Sequence, residues 1–143
     1  MKEKSTLGYK IKQINNIYER DFNNSLRKIG ITSSQAEVLD YLFNAESEEI
    51  SQRDIERALS LSNPTVTGIL KRLEENGFIF TVPNGEDKRK KNIYPTEQAF
   101  AVQRKMDMAR RKINKSLTID MNKKEIEALE KMLDRVLYNV KDL

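Results

Sequence analysis

Apolar residues recur along this chain mostly three and four positions apart, the period of helices with one buried side. Leu7, Ile11, Ile14, Tyr18, Phe22, Leu26 and Ile29 form the first such stripe, and Gly30 ends it, which predicts a long amphipathic helix. Ile31-Thr32-Ser33-Ser34-Gln35 then offers a capping box: Thr32 can accept an orphan amide and Gln35 can reach back to the cap. The helix that follows packs Ala36, Leu39, Leu42 and Phe43. Ser51 and Asp54 repeat the device, with Ile50 and Ile55 placed as a staple, for a short helix ending near Ser60. Ser62 or Asn63 caps the next helix, Pro64 lies in its first turn and Asn76-Gly77 stops it.

After Gly77 the period drops to two. Phe78-Ile79-Phe80-Thr81-Val82 reads as a strand, Pro83-Asn84-Gly85 as a turn and Asn92-Ile93-Tyr94 as the returning strand of a hairpin with a cationic tip. Two helices finish the chain. Thr96, Glu97 and Gln98 begin one with Ala99, Val102, Met106, Ala109 and Ile113 on its apolar side. Asn122 and Glu125 cap the other, Met121 and Ile126 can staple it, and Ile126, Leu129, Leu133, Val136, Val140 and Leu143 form a seam spaced for packing against another helix. The expectation is therefore a mainly α fold with one small β-hairpin.

Composition narrows the chemistry. A length of 143 residues supports one core. No apolar run approaches the roughly 18 residues of a membrane span, and the start MKEKSTLGYK lacks a signal peptide's apolar segment, so a cytoplasmic protein with no membrane partner is expected. Histidine and cysteine are absent, which excludes disulfides, thiol redox switches, zinc sites of the usual kind and Ser-His or Cys-His nucleophile pairs. The five glycines are scattered singly, so no loop cradles a phosphate. These absences argue against an enzyme and for no cofactor. Transition-metal sensing is disfavoured without His or Cys, because the remaining carboxylates suit harder ions.

Net charge is +4, and its distribution says more than its size. Lys88-Arg89-Lys90-Lys91 is an unbroken run of cations at the hairpin tip, and Arg104 to Lys115 holds six more with Asp107 its one acid. The second segment reads as the wet face of a helix and carries no site.

Within SNPTVTGILKRLEENGFI, Val66, Ile69, Leu70 and Leu73 fall on one side of the helical wheel. Ser62, Asn63, Pro64, Thr65, Thr67, Gly68, Lys71 and Arg72 cap the helix and cover the remainder. Small residues near the N-terminus allow close approach to a surface, and Lys71 and Arg72 can reach a phosphate or base edge. With a short helix before it across a tight turn, this is a helix-turn-helix, whose second helix enters the major groove of DNA. The hairpin after it can lie along the backbone as a wing, its arginine drawn to the narrow minor groove.

In that order of elements, and in SNPTVTGILKRLEENGFI and Glu86-Asp87-Lys88-Arg89, the chain resembles the MarR family of winged helix-turn-helix regulators over nearly its full length. The resemblance implies that Asp87 braces Arg89 for a minor-groove contact, with Lys88 and Lys90 beside it. It also implies a homodimer joined by residues 1–30 and 96–143, with 31–95 as the DNA-binding lobe on a pseudo-palindromic operator. Repression relieved by a small, often aromatic anion is a further implication. The dimer has independent support, because one chain of this length has little else to cover both its first stripe and its last seam. One departure stands out: Tyr94-Pro95-Thr96-Glu97-Gln98-Ala99 keeps the family's threonine helix cap but lacks the glycine that commonly follows. The competing reading is a winged-helix adaptor that binds protein rather than DNA, for which a neutral or acidic helix face would be needed. Lys71, Arg72 and the wing cations oppose it.

Overall fold

A computed structural model describes residues 6–142. Its elements are α1 (Leu7–Ile29), α2 (Ser33–Asn44), α3 (Gln52–Leu59), α4 (Asn63–Glu75), β1 (Ile79–Pro83), β2 (Lys91–Pro95), α5 (Glu97–Leu117) and α6 (Lys123–Val140). The chain divides into two compact units, Met1–Arg110 and Arg111–Leu143, with the boundary inside α5.

In the first unit the helix ends are set by the local signals in the sequence. Thr32 and Gln35 form a reciprocal capping box on α2, and Ser51 and Asp54 form one on α3. Ser62 caps α4 through the Thr65 amide. Gly30 (φ 94°) and Gly77 (φ 78°) take the left-handed conformation that releases the chain from α1 and α4. Ser60 does the same after α3 at φ 53°, the only non-glycine to do so among the described residues.

The core is centred on α2, whose Val38 and Leu39 are fully buried. Leu26 of α1, Ile55 of α3, Val66 and Leu73 of α4, Ile79 and Ile93 of the hairpin, and Ala99 and Met106 of α5 close around it. Val38 lies off the stripe that periodicity picks out, because a helix enclosed by several elements buries more than one side.

The hairpin pairs antiparallel in the register Ile79 with Pro95, Thr81 with Ile93 and Pro83 with Lys91. It differs slightly from expectation. Phe78 precedes the strand, and Pro83 belongs to the strand instead of the turn. A two-stranded ribbon has free edges, so the missing proline N–H removes no ladder bond. The amide of Ile93 donates to the carbonyl of Ile50 (2.8 Å), which ties β2 to the segment leading into α3.

Outside this core, apolar residues stay in the open. On α1 only Leu26 is buried, while Leu7 (65%) and Ile14 (54%) are exposed, and Tyr9 and Tyr18 are half-buried. In the second unit Asn122 and Glu125 form the expected box on α6, yet none of its residues is buried. Ile126, Leu129 and Val136 of the seam are half-buried, and Leu133 and Val140 are exposed. Met121, placed to staple against Ile126, is also exposed, and Leu143 lies outside the described residues.

Leu73 holds α4 to the core with its side chain fully buried. Leu73→Ala is expected to destabilise the folded lobe by about 2–5 kcal/mol, read as a lowered urea midpoint with unchanged slope.

Candidate nucleic-acid interface

The outer side of α4 begins at its cap. The Ser62 hydroxyl accepts from the Thr65 amide (3.4 Å) and donates to Thr65 Oγ1 (2.9 Å), while Pro64 occupies the first turn. Asn63, Pro64, Thr65, Thr67, Gly68, Lys71 and Arg72 are all exposed, opposite the buried Val66, Leu70 and Leu73. Gly68 is informative. A Cβ placed on it would meet no atom within 4 Å, and its φ is not positive. Glycine inside a helix costs roughly 0.5–1 kcal/mol relative to alanine. Nothing in the lobe itself requires that cost, whereas a flat helix face suits a surface lying against it.

The wing is built from its own polar groups. Asn84 Oδ1 accepts the amides of Glu86 (2.9 Å) and Asp87 (3.1 Å), and its Nδ2 donates to Oδ1 of the buried Asn92 (3.2 Å). The loop then closes through Asn84 N to Lys90 O (2.8 Å) and Lys90 N to Asp87 O (3.0 Å). Asp87 Oδ1 accepts from both the Arg89 amide (3.0 Å) and Arg89 Nε (3.2 Å). The Arg89 side chain is nevertheless 91% exposed, so it is aimed without being covered. The Arg89 side chain first, and then its amide, hold the Asp87 carboxyl below the usual carboxylate range, with a smaller contribution from Lys90.

Helix α3 adds residues that sequence reasoning missed. Gln52 Nε2 donates to Thr67 Oγ1 (2.8 Å) and, more weakly, to Asn63 O (3.4 Å). Asn63 Nδ2 donates to Glu56 Oε2 (3.0 Å). These bonds join residues far apart in sequence, so no spacing announces them. Together α3, α4 and the hairpin enclose an open groove of about 1110 Å³. Asn63, Thr67, Lys71, Asp87, Arg89 and Lys90 line it, joined by Gln52, Arg53, Arg57 and Lys91. Ser62, Pro64, Thr65, Gly68, Arg72 and Lys88 stand exposed outside it. Of the groove's four carboxylates, Asp54 is engaged in the α3 cap, Glu56 with Asn63 and Asp87 with Arg89. Glu74 is the fourth, and the six cations Arg53, Arg57, Lys71, Arg89, Lys90 and Lys91 outnumber them. Among the described residues no acidic cluster could hold a metal ion.

The cationic segment of α5 needs a correction. Arg110 does not belong to a wet face: it is half-buried, lies 4.8 Å from the Phe22 ring centroid, and pairs with Asp40 of α2 and with Asp107. Gln103 Nε2 joins the same group through Asp40 Oδ1 (3.2 Å). Periodicity cannot reveal an ion pair across 70 residues.

Comparison with known proteins agrees with this geometry. Residues 29–90 match the model of the MarR family. The chain is 32% identical over 122 residues to YwoH of Bacillus subtilis, an uncharacterised HTH-type transcriptional regulator, covering 85% of this chain and 87% of that one. MepR, a regulator of the Staphylococcus aureus multidrug efflux pump MepA, superposes with a TM-score of 0.86 at 24% identity over 94% of this chain and 98% of its own. MepR in complex with DNA superposes at 0.71, with 23% identity over 97% and 99% of the two chains. MarR of E. coli gives 0.79 at 27% identity over 95% and 99%.

Two outcomes follow from this geometry. Gly68→Ala should raise the thermal midpoint, corresponding to about 0.5–1 kcal/mol, because the added methyl enters open space in a helix. Asp87 has a folded pKa below its unfolded one, so its pairing contributes stability above the ordinary carboxylate range and loses it as pH falls through the lowered value. An NMR titration of its carboxyl carbon should accordingly place its midpoint below that of an unperturbed aspartate, about 3.9.

Proposed function

The chain belongs to the MarR family of transcription regulators, and from that premise we propose that it is a homodimeric, sequence-specific DNA-binding repressor. The observation that carries this reading is the groove shared by one face of α4 and the braced Arg89 of the wing. In this reading Asn63, Thr67 and Lys71 meet base edges and phosphates in a major groove, with Ser62, Pro64, Thr65, Gly68 and Arg72 alongside the backbone. Arg89 enters the neighbouring minor groove, flanked by Lys88 and Lys90. MepR, of the same fold, is solved on DNA, which supports the mode of docking.

The proposal assigns residues 31–95 to the DNA-binding lobe and residues 1–30 and 96–143 to dimerisation. Exposed apolar side chains support the second assignment: Leu7, Ile11, Ile14 and Ile17 on α1, and Met132, Leu133, Leu137 and Val140 on α6. Monomeric proteins rarely leave such stripes in water. A two-fold partner would cover them and set half-sites about one helical turn, roughly 34–36 Å, apart. Release by a small organic anion completes the proposal and fits a chain that has neither thiol nor imidazole with which to sense.

Binding is measured by fluorescence anisotropy on duplexes selected from a random pool, at graded salt, with and without aromatic acids. The wild-type chain should bind a pseudo-palindrome as a dimer and weaken steeply with salt. Arg89→Ala should lower affinity about tenfold and reduce the salt slope by about one, leaving dimer mass and helix content intact. Indifference of the wild-type protein to every duplex at low ionic strength would overturn the reading.

A further inference from the structure

Asn63 and Thr67 are one helical turn apart on the face of α4 that lines the groove, and each is held by a side chain of α3. The chemistry of those two bonds is directional. Gln52 meets Thr67 through Nε2, a group that only donates, so the threonine oxygen must accept (2.8 Å). The hydroxyl proton then has to point elsewhere. Its usual target in a helix is the carbonyl four residues back, Asn63 O, but that oxygen is already approached by the helix ladder and by Gln52 Nε2 (3.4 Å). Among the described residues the Thr67 hydroxyl makes no further hydrogen bond, which leaves its proton free to turn to the groove. At Asn63 the logic reverses. The Glu56 carboxylate only accepts, so it draws the amide nitrogen toward α3 (3.0 Å) and fixes which way the amide lies. The oxygen Oδ1 and the second N–H remain available as an adjacent acceptor and donor.

We propose that Gln52 and Glu56 are positioning residues that set the hydrogen-bond polarity of α4, making Thr67 a donor and Asn63 a donor–acceptor pair toward the major groove. Thr67 then selects a base offering an acceptor, such as purine N7, guanine O6 or thymine O4, and rejects cytosine, which offers a donor there. Asn63 matches the N6/N7 edge of adenine. The inference rests on the reading of α4 as the base-reading helix and goes beyond it by assigning part of the specificity to α3, through the bonds it makes to α4.

The test uses the full-length protein and its best duplex from random-pool selection, compared with duplexes in which single purines are replaced by analogues lacking N7. The readout is the ratio of affinities for parent and analogue within each variant. A packing role would weaken both duplexes alike and leave that ratio unmoved. The wild-type ratio should be on the order of tenfold at the contacted purines. Gln52→Glu swaps a donor for an acceptor at constant shape, turns the threonine proton inward and should bring the ratio at the Thr67 contact close to one. Glu56→Gln can hold the Asn63 amide either way round, through its carbonyl oxygen or its NH2, and should therefore weaken the adenine preference at its contact. Thr67→Val should lose the first ratio by itself, and adding Gln52→Glu to it should change nothing more. If the added charge in Gln52→Glu lowers the melting temperature, Gln52→Met removes the donor without charge, frees the hydroxyl to bond back to Asn63 O and should lower the ratio part of the way to one. Parent and analogue discrimination kept at wild-type values in Gln52→Glu or Gln52→Met and in Glu56→Gln would overturn the inference. Failure of the wild-type chain to bind any duplex would instead overturn the reading of α4.

Discussion

The anchorage of Thr96 against the end of α4 fixes where the rest of the lobe can lie. Its hydroxyl donates to Gly77 O (2.7 Å) and accepts the Ala99 amide (3.3 Å), while its own amide donates to Phe78 O (3.0 Å). One residue thereby closes the base of the hairpin, caps α5 and receives two carbonyls at the turn out of α4, groups that would otherwise lack partners. Gln98 adds a bond to Asn76 O (3.3 Å), and its Oε1 stands 3.0 Å from the position of a Cβ on Gly77. The glycine that the family commonly has after its threonine is therefore not needed to set the exit of the wing here. Gripped by its apolar face and by both ends, α4 can leave its other side bare. That bareness is structural in origin: short side chains, a glycine no neighbour demands, and cations placed beyond them.

Most of the fold was legible in the sequence because its signals are local. Capping boxes at Thr32, Ser51 and Asn122 each involve residues three apart, Gly30 and Gly77 terminate helices through their own backbone freedom, and the hairpin announces itself by a change of period. The candidate site was legible only where its residues are neighbours in sequence. Asp87 and Arg89 are two apart, and the outer face of α4 is one wheel. The bonds from Gln52 to Thr67, from Glu56 to Asn63 and from Asp40 to Arg110 cross between elements. Side chains that meet only after folding impose no periodicity, and each of these residues reads as ordinary helix surface until its partner is in place. The same reason hid Asn84 and Asn92, whose amides carry the wing tip from opposite strands' ends.

Electrostatics and geometry reinforce each other in the groove. A carboxylate beside an arginine could have covered the wing's charge, yet although Asp87 holds Arg89 by its backbone amide, Nε and, at 3.5 Å, Nη2, the arginine side chain stays largely in water. On α3 the acids have comparable duties, one in a cap and one on an asparagine amide. Asp54, Glu56 and Asp87, unlike Glu74, thus arrange donors and cations in the groove.

The single backbone bond from Ile93 to Ile50 has a mechanical consequence. It stitches the outgoing strand of the ribbon to the chain that feeds α3, so the ribbon cannot pivot at its root without tearing that stitch. On the proposed reading, tolerance for duplexes of unequal groove width then falls to the long arms of the tip lysines, with the scaffold and its braced arginine acting as a stiff caliper.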